Sequence, residues 1–299
     1  MTAPFTERTP RVVAARRLTR RAGRDEAGAF LAEGPQAVRE ALARPGGTRE
    51  LFGTAAALAR HADLAAVAAA TGVPVSEITD RAAAALSETS TPQGIVAVCA
   101  LLDVPPDRAF ADGPALVAVL ADVRDPGNAG TVLRSADAAG ADAVVLAGDS
   151  VDPYNGKAVR ASAGSLFHLP VVRGADLPAA LRAARGAGLT VLAADGAGED
   201  DLDELADAGR LAAPTAWLFG NEAWGLPAGI GALADVRVRI PISPRAESLN
   251  LAAAAAVCLF ASARAQRHAG PAGSRAGPAA GAGAGSARAG VRRPGRVMS

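Results

Sequence analysis

Three short segments in the second half of this 299-residue chain gather side chains that can do chemistry: residues 125–134 (DPGNAGTVLR), 218–226 (LFGNEAWGL) and 240–252 (IPISPRAESLNLA). Each is a polar stretch bearing Gly or Pro that follows an apolar, strand-like run. Loops at the carboxyl ends of strands in an open α/β sheet are where such folds bind ligands. Three of them carrying Asn, Arg, Glu and Ser side chains point to one composite site. The first segment lies between a strand and a helix, where N–H groups favour anions. It contains neither G-x-G-x-x-G nor G-x-x-x-x-G-K-[ST], so the dinucleotide and P-loop fingerprints are both unmet. His61, His168 and His268 are scattered, and Cys99 and Cys258 lack C-x-x-C spacing. Local spacing therefore assembles no metal site, and the cysteines read as buried free thiols of a cytosolic protein.

The elements that must position these loops follow from periodicity. Residues 1–10, with Pro4 and Pro10, are expected to be disordered. Residues 11–102 read as a small α/β unit. It opens on a basic helix-like stretch, and in residues 30–42 (FLAEGPQAVREAL) Gly34 and Pro35 end a strand and start an amphipathic helix. Strands over 51–53 and 73–75 flank an Ala-rich helix over 58–70, and residues 95–102 (IVAVCALL) form a buried strand. Pro105, Pro106, Gly113 and Pro114 mark residues 103–114 as a linker. In residues 115–267, strands over 115–122, 142–146, 190–194, 216–219 and 236–240 alternate with helices over 128–139, 177–187 and 247–267. That alternation predicts a mostly parallel sheet covered on both faces. Residues 268–299 are Gly, Ala, Pro, Ser and Arg without apolar periodicity, which predicts a disordered tail.

A formal net charge of +1 conceals an asymmetry. Residues 1–24 hold seven arginines against Glu7, residues 267–299 hold six and no acid, and the body between them is strongly acidic. Two readings fit the basic ends: contact with a phosphate backbone, or solubility. The N-terminus is charged where a signal peptide needs an apolar run. The longest apolar stretch, residues 249–263, is Ala-rich and short of the roughly 20 residues of a membrane span. A cytoplasmic protein without membrane or metal is expected.

In order and spacing the three segments resemble the motifs of the SpoU/TrmH family of AdoMet-dependent RNA ribose 2′-O-methyltransferases, in the SPOUT superfamily. Motif one is DPGNAGTVLRSADAAG, motif two LFGNEAWGL and motif three IPISPRAESLNLAAAAAV. FLAEGPQAVREAL and LSETSTPQGIVAV resemble the L30e-like substrate-binding domain that precedes the catalytic domain in many members. The resemblance implies an α/β chain in which a trefoil-knotted, mostly parallel sheet follows a smaller L30e-like domain, and a homodimer with active sites at the subunit interface. It implies methyl transfer from S-adenosyl-L-methionine to a ribose 2′-OH of structured RNA, with 23S rRNA favoured over tRNA. Antibiotic self-resistance is a narrower possibility within that activity. A non-catalytic, ribosome-associated RNA-binding protein is the alternative.

By the same resemblance Arg134 matches the family's catalytic arginine. A guanidinium with a pKa above about 12 is a poor base, so its expected work is electrostatic, at the adjacent phosphate and the developing alkoxide. Asn128 matches the asparagine that orders the active-site loops. Glu222 is expected to orient Arg134 or the ribose, and Ser248 and Asn250 to hydrogen-bond near Arg134. Ser248 also fits a cap of the final helix. Gly220, Ile240 and Leu249 match cofactor-binding positions, Gly220 because a residue without Cβ allows close approach. Arg160, in the further family-like stretch 157–170 (KAVRASAGSLFHLP), is expected to contact RNA phosphate, as are Arg17 and Arg20 of the basic start.

Overall fold

The computed structural model describes residues 3–226 and 228–269. The first half contains α1 (Pro10–Arg17), α2 (Arg21–Ala27), β1 (Ala29–Glu33), α3 (Pro35–Ala43), β2 (Thr48–Gly53), α4 (Ala55–Arg60), α5 (Ala62–Ala70), β3 (Val75–Glu77), α6 (Asp80–Leu86) and β4 (Ile95–Ala100). These build a four-stranded mixed sheet in the order β1-β4-β2-β3, antiparallel at both β4 pairings and parallel between β2 and β3.

The second half contains α7 (Pro106–Ala109), β5 (Leu116–Ala121), α8 (Pro126–Ala139), β6 (Ala143–Ala147), α9 (Gly156–Ala161), β7 (Val171–Ala175), α10 (Leu177–Gly186), β8 (Thr190–Ala194), β9 (Asp200–Asp201), α11 (Leu202–Asp207), β10 (Thr215–Phe219), α12 (Ala228–Gly231), β11 (Val236–Arg239) and α13 (Leu251–Ala269). Its seven strands run in the order β7-β6-β5-β10-β8-β11-β9, all paired in parallel. β5, β6 and β10 are buried along their whole length, as a sheet covered on both faces requires. Strand β10 sits beside β5 although 99 residues separate their starts in sequence, and that adjacency brings the loops after them together.

The main hydrophobic core is continuous across the two halves. Phe30 of β1 meets Tyr154 in a tilted ring contact at 4.7 Å and stacks on Phe167 at 5.8 Å, and the same cluster extends to Leu133, Trp217 and Leu259. Tyr154 donates its hydroxyl to Asp103 Oδ1 (2.7 Å) and accepts the Leu102 N–H (2.8 Å). A separate core on the opposite face of the large sheet gathers Val117, Val145, Leu181 and Leu218. No helix among the described residues is long and apolar enough to cross a membrane.

Several boundaries differ from the sequence reading for physical reasons. Phe5 exchanges hydrogen bonds with Glu77 and Thr79 beside β3, so the expected disorder of residues 1–10 does not hold over this stretch. The expected linker 103–114 is docked: the Val104 N–H bonds to Val171 O, and Ala109 and Phe110 are buried. The helix expected over 58–70 is two helices broken at His61. The final helix begins at Leu251, because Asn250 Oδ1 accepts the N–H groups of Ala252 (2.9 Å) and Ala253 (3.3 Å) and caps it there. The tail expected from His268 onward lies outside the described residues, apart from His268 and Ala269, which continue α13.

Candidate active site

The site is assembled at the carboxyl edge of β5 and β10. After β5, Asp125 caps α8 by accepting the Asn128 N–H on Oδ1 (2.8 Å), with Pro126 at the first helical position. Lys157 of α9, the only lysine of the chain, donates to Asp125 Oδ2 at 2.6 Å. The Lys157 ammonium, and after it the Asn128 N–H, hold the Asp125 carboxyl below the usual carboxylate range.

After β10 the chain closes a tight loop, in which Asn221 and Gly225 exchange N–H···O bonds of 2.9 Å in both directions and Gly225 takes φ +66°. A Cβ at Gly220 would collide with the Gly225 carbonyl. Glycine is therefore required at position 220 by the folding of the loop on itself; the expected ground was room for a ligand.

Glu222 projects from this loop onto the first one. Its Oε2 accepts the Arg124 N–H (3.1 Å), while Oε1 accepts the Asp125 N–H (3.0 Å) and the Asn128 side-chain amide (3.2 Å). Partial burial raises the Glu222 pKa, but the N–H groups of Arg124, Glu222 itself and Asp125 outweigh it and leave the carboxyl below its ordinary value. Asn128 Oδ1 in turn accepts the Asn250 side-chain amide at 3.0 Å. The three sequence motifs thus meet in one relay, from Asn250 to Asn128 to Glu222. Both carboxylates at this edge are ionised anchors already bonded on each oxygen, which makes them poor proton acceptors.

Beside the relay lies a cavity of about 320 Å³, lined by Phe219, Gly220, Ile240, Leu249, Leu251 and Ala254, with Asp195, Asn221, Glu222, Glu247 and Ser248 also on its wall. An apolar floor with a few convergent polar groups is the usual make-up of a small-molecule site. Gly220, Ile240 and Leu249 are brought together here. Ser248 sits on the exposed wall of the cavity and neither caps α13 nor hydrogen-bonds within the relay.

Arg134 is placed differently from the expectation that Glu222, Ser248 and Asn250 surround it. It is exposed on α8 and has no hydrogen bond or ion pair among the described residues. Six residues beyond Asn128, it stands about 9 Å along the helix axis. Glu222 orients Asn128 and the loop N–H groups instead.

Arg160 has a partner in the other half: its Nη1 pairs with the buried Glu33 of β1 at 3.2 Å, which ties the two halves together. His168 bridges Asp137 of α8 (2.8 Å) and Glu40 of α3 (3.2 Å), and these carboxylates, Asp137 first, raise its pKa. Arg17 and Arg20 line a groove between α1 and α2 together with Arg16. Arg17 pairs with Glu26 at 2.7 Å in an exposed ion pair, while Arg20 extends into solvent. Among the described residues no group of three or more His, Cys, Asp or Glu is arranged to hold a metal ion.

Two contributors were not singled out by sequence. Lys157 stood out only as the sole lysine, and Asp122, whose carbonyl accepts the Asn221 amide at 2.6 Å, carries no local signal at all.

Comparison with known proteins agrees with this geometry. Residues 115–260 match the SpoU rRNA Methylase family, and residues 9–97 match the MRM3-like substrate binding domain. The chain is 35% identical over 237 residues to the 23S rRNA (guanosine(2553)-2′-O)-methyltransferase RlmP of Bacillus subtilis, covering 79% of this chain and 89% of that protein. The crystal structure of an AdoMet-bound rRNA methyltransferase from Sinorhizobium meliloti superposes with a TM-score of 0.74 at 33% identity, covering 89% of this chain and 98% of that one. The SpoU methyltransferase AviRb from Streptomyces viridochromogenes, in complex with AdoMet, gives 0.72 at 30% identity, covering 88% and 100%. With its motifs joined at one sheet edge and its relatives matched over most of both chains, the chain belongs to the SpoU rRNA methylase family, as a SpoU/TrmH-type RNA methyltransferase with an N-terminal substrate-binding domain.

Proposed function

We propose that this chain moves the methyl group of S-adenosyl-L-methionine to a ribose 2′-OH of structured RNA, with 23S rRNA as the target class, and that it does so as a cytoplasmic homodimer. The observation that carries this reading is the Asn250–Asn128–Glu222 relay beside a cavity of about 320 Å³. The cavity suits the donor: its floor is apolar, its size fits a nucleoside, and Glu222 and Glu247 supply negative charge toward a sulfonium. When bound, the cofactor supplies an electrophilic methyl group for in-line attack. The chain's own residues hold the two reactants in register, which supplies a large part of the barrier reduction in a bimolecular transfer. Asn128, fixed on both sides of its amide, presents a rigid polar group at the edge of the cavity. Arg134, which has no side-chain partner among the described residues, provides a guanidinium to bind the neighbouring phosphate and to stabilise negative charge developing at O2′.

The dimer is part of the reading because Arg134 lies away from the cavity of its own chain. An exposed stripe on α13 runs through Ala253, Val257 (42% exposed) and Phe260 (44% exposed), starting at Asn250. With Ile242, Leu249 and Trp224 also exposed around the site, a second copy seated on this stripe brings an arginine to the donor. The substrate-binding unit is residues 11–102, with Arg17 and Arg20 in its basic groove, and the transfer unit is residues 115–267. The knotted threading of the family is part of the same reading, supported by motifs two and three lining one cavity.

Incubation of the purified chain with tritiated S-adenosyl-L-methionine and unmodified 23S rRNA tests the proposal. Label recovered as a 2′-O-methylated nucleotide is the expected result. Tight donor binding without transfer to any cellular RNA would establish the non-catalytic alternative.

A further inference from the structure

The turn from β5 into the first active-site loop is made by a residue in an unfavourable conformation. Asp122 takes φ +55°, a left-handed backbone that aspartate tolerates better than most residues but adopts at a cost that glycine escapes. Its N–H donates to the Ala147 carbonyl at 3.3 Å, and two side-chain contacts hold it further. Its carbonyl accepts the side-chain amide of Asn221 at 2.6 Å, and its carboxylate accepts the Asp149 N–H at 2.8 Å. The second contact needs Gly148, where a Cβ would come 2.5 Å from Asp122 Oδ1. Asn221 is itself immobilised: it is 5% exposed, its Oδ1 accepts the Ala223 N–H at 2.8 Å, and its backbone closes the loop with Gly225.

Asn221 therefore stands between two structures that must stay in register. On one side it belongs to the loop that walls the cavity. On the other it fixes the peptide from which Arg124, Asp125 and Asn128 follow, and those are the groups that Glu222 gathers. Strain held by surrounding contacts at a functional loop is a familiar form of pre-organisation.

We propose that Asn221 is a positioning residue, which latches Asp122 in its left-handed conformation and so sets the orientation of Asn128 relative to the donor cavity. The latch rests on the methyl-transfer reading for its effect on turnover, and on geometry alone for its effect on the loop.

Suppression by a second substitution tests it. In assays with tritiated S-adenosyl-L-methionine and in vitro transcribed 23S rRNA, Asn221→Ala, which removes both the donor to the Asp122 carbonyl and the acceptor for the Ala223 N–H, is expected to lower kcat by about tenfold. The KM for RNA and the Kd for S-adenosyl-L-methionine should each stay within about threefold, since the loop closure by Gly225 remains. Hydrogen exchange of the Arg124 and Asp125 amides should quicken. Adding Asp122→Gly, which removes the need for a restraint, should return kcat to within about threefold of the parent and restore protection. Asn221→Asp, which keeps an oxygen for the Ala223 N–H but loses the donor to the Asp122 carbonyl, releases the same latch and should be suppressed by the same Asp122→Gly change, which serves where Asn221→Ala does not fold. The latch is overturned if kcat is unchanged in Asn221→Ala, or if Asp122→Gly fails to suppress either variant. A parent protein that transfers no methyl group would sink the methyl-transfer reading instead, leaving the latch to be decided by amide exchange.

Discussion

Arg24 and Asp152, 128 positions apart in sequence, form a two-pronged ion pair in the junction between the substrate-binding half and the large sheet, with both side chains under 5% exposed. Arg24 spends its remaining donors on the carbonyls of Leu18 and Thr19. Asp152 is further held by the Tyr154 N–H and lies 3.9 Å from Arg173, which also pairs with Asp25 and Asp103. Removing one member strands a charge in a dry place. Arg24→Ala should therefore destabilise the protein by about 3–5 kcal/mol, read from urea unfolding, while Arg24→Met combined with Asp152→Leu should recover most of that loss.

Arg134→Ala should reduce methyl transfer by about 10²–10³-fold, the usual cost of deleting one group that stabilises transition-state charge. Donor affinity, measured by calorimetry, should stay nearly constant, because the work assigned to Arg134 is at the RNA phosphate and the developing alkoxide and not at the donor. A matching fall in donor affinity would contradict the electrostatic role.

His168 gives a pH dependence with a definite sign. Its folded-state pKa is raised, first by the hydrogen bond to Asp137 and then by Glu40. The stability it contributes is complete below its unfolded pKa of about 6.5 and is lost as pH rises through the higher folded value. His168→Gln should therefore lower the urea midpoint at pH 6, and the difference from the parent should close by about pH 9. A gap that widens on going alkaline would refute the bridge between α3 and α8.

The groove between α1 and α2 makes a separate claim. If Arg16 and Arg20 meet RNA phosphates, Arg16→Ala and Arg20→Ala should each weaken binding at low salt and reduce the slope of log K against log salt by about one. Variants with an unaltered slope would return these arginines to the role of solubilising charge.

How much of this was legible in the sequence depends on the length scale of each interaction. Asn128, Glu222 and Asn250 were singled out by the family resemblance of their three motifs, since polar side chains in loops after strands serve as caps and turns at least as often. Their partners were not: Asn128 meets Glu222 across 94 positions and Asn250 across 122. Both contacts depend on β10 lying beside β5, a strand order that periodicity does not encode. Arg160 shows the same limit, since the family-like stretch around it suggested phosphate and gave no hint of its partner Glu33, 127 positions away. The start of α13 was placed too early because the run of alanines after Glu247 is helical in composition. The asparagine cap that stops it works only once the chain turns there.

The uninterrupted core under Phe30, Tyr154 and Phe167 bears on how such proteins can be re-engineered. Two recognisable regions in the sequence invite exchange of the RNA-binding half between relatives, as though it were a module. A graft cut at residues 103–114 would lay open the aromatic face and sever the Arg24–Asp152 and Arg160–Glu33 pairs. Retargeting by recombination therefore has to carry the facing surface of the large sheet along with the half that is swapped.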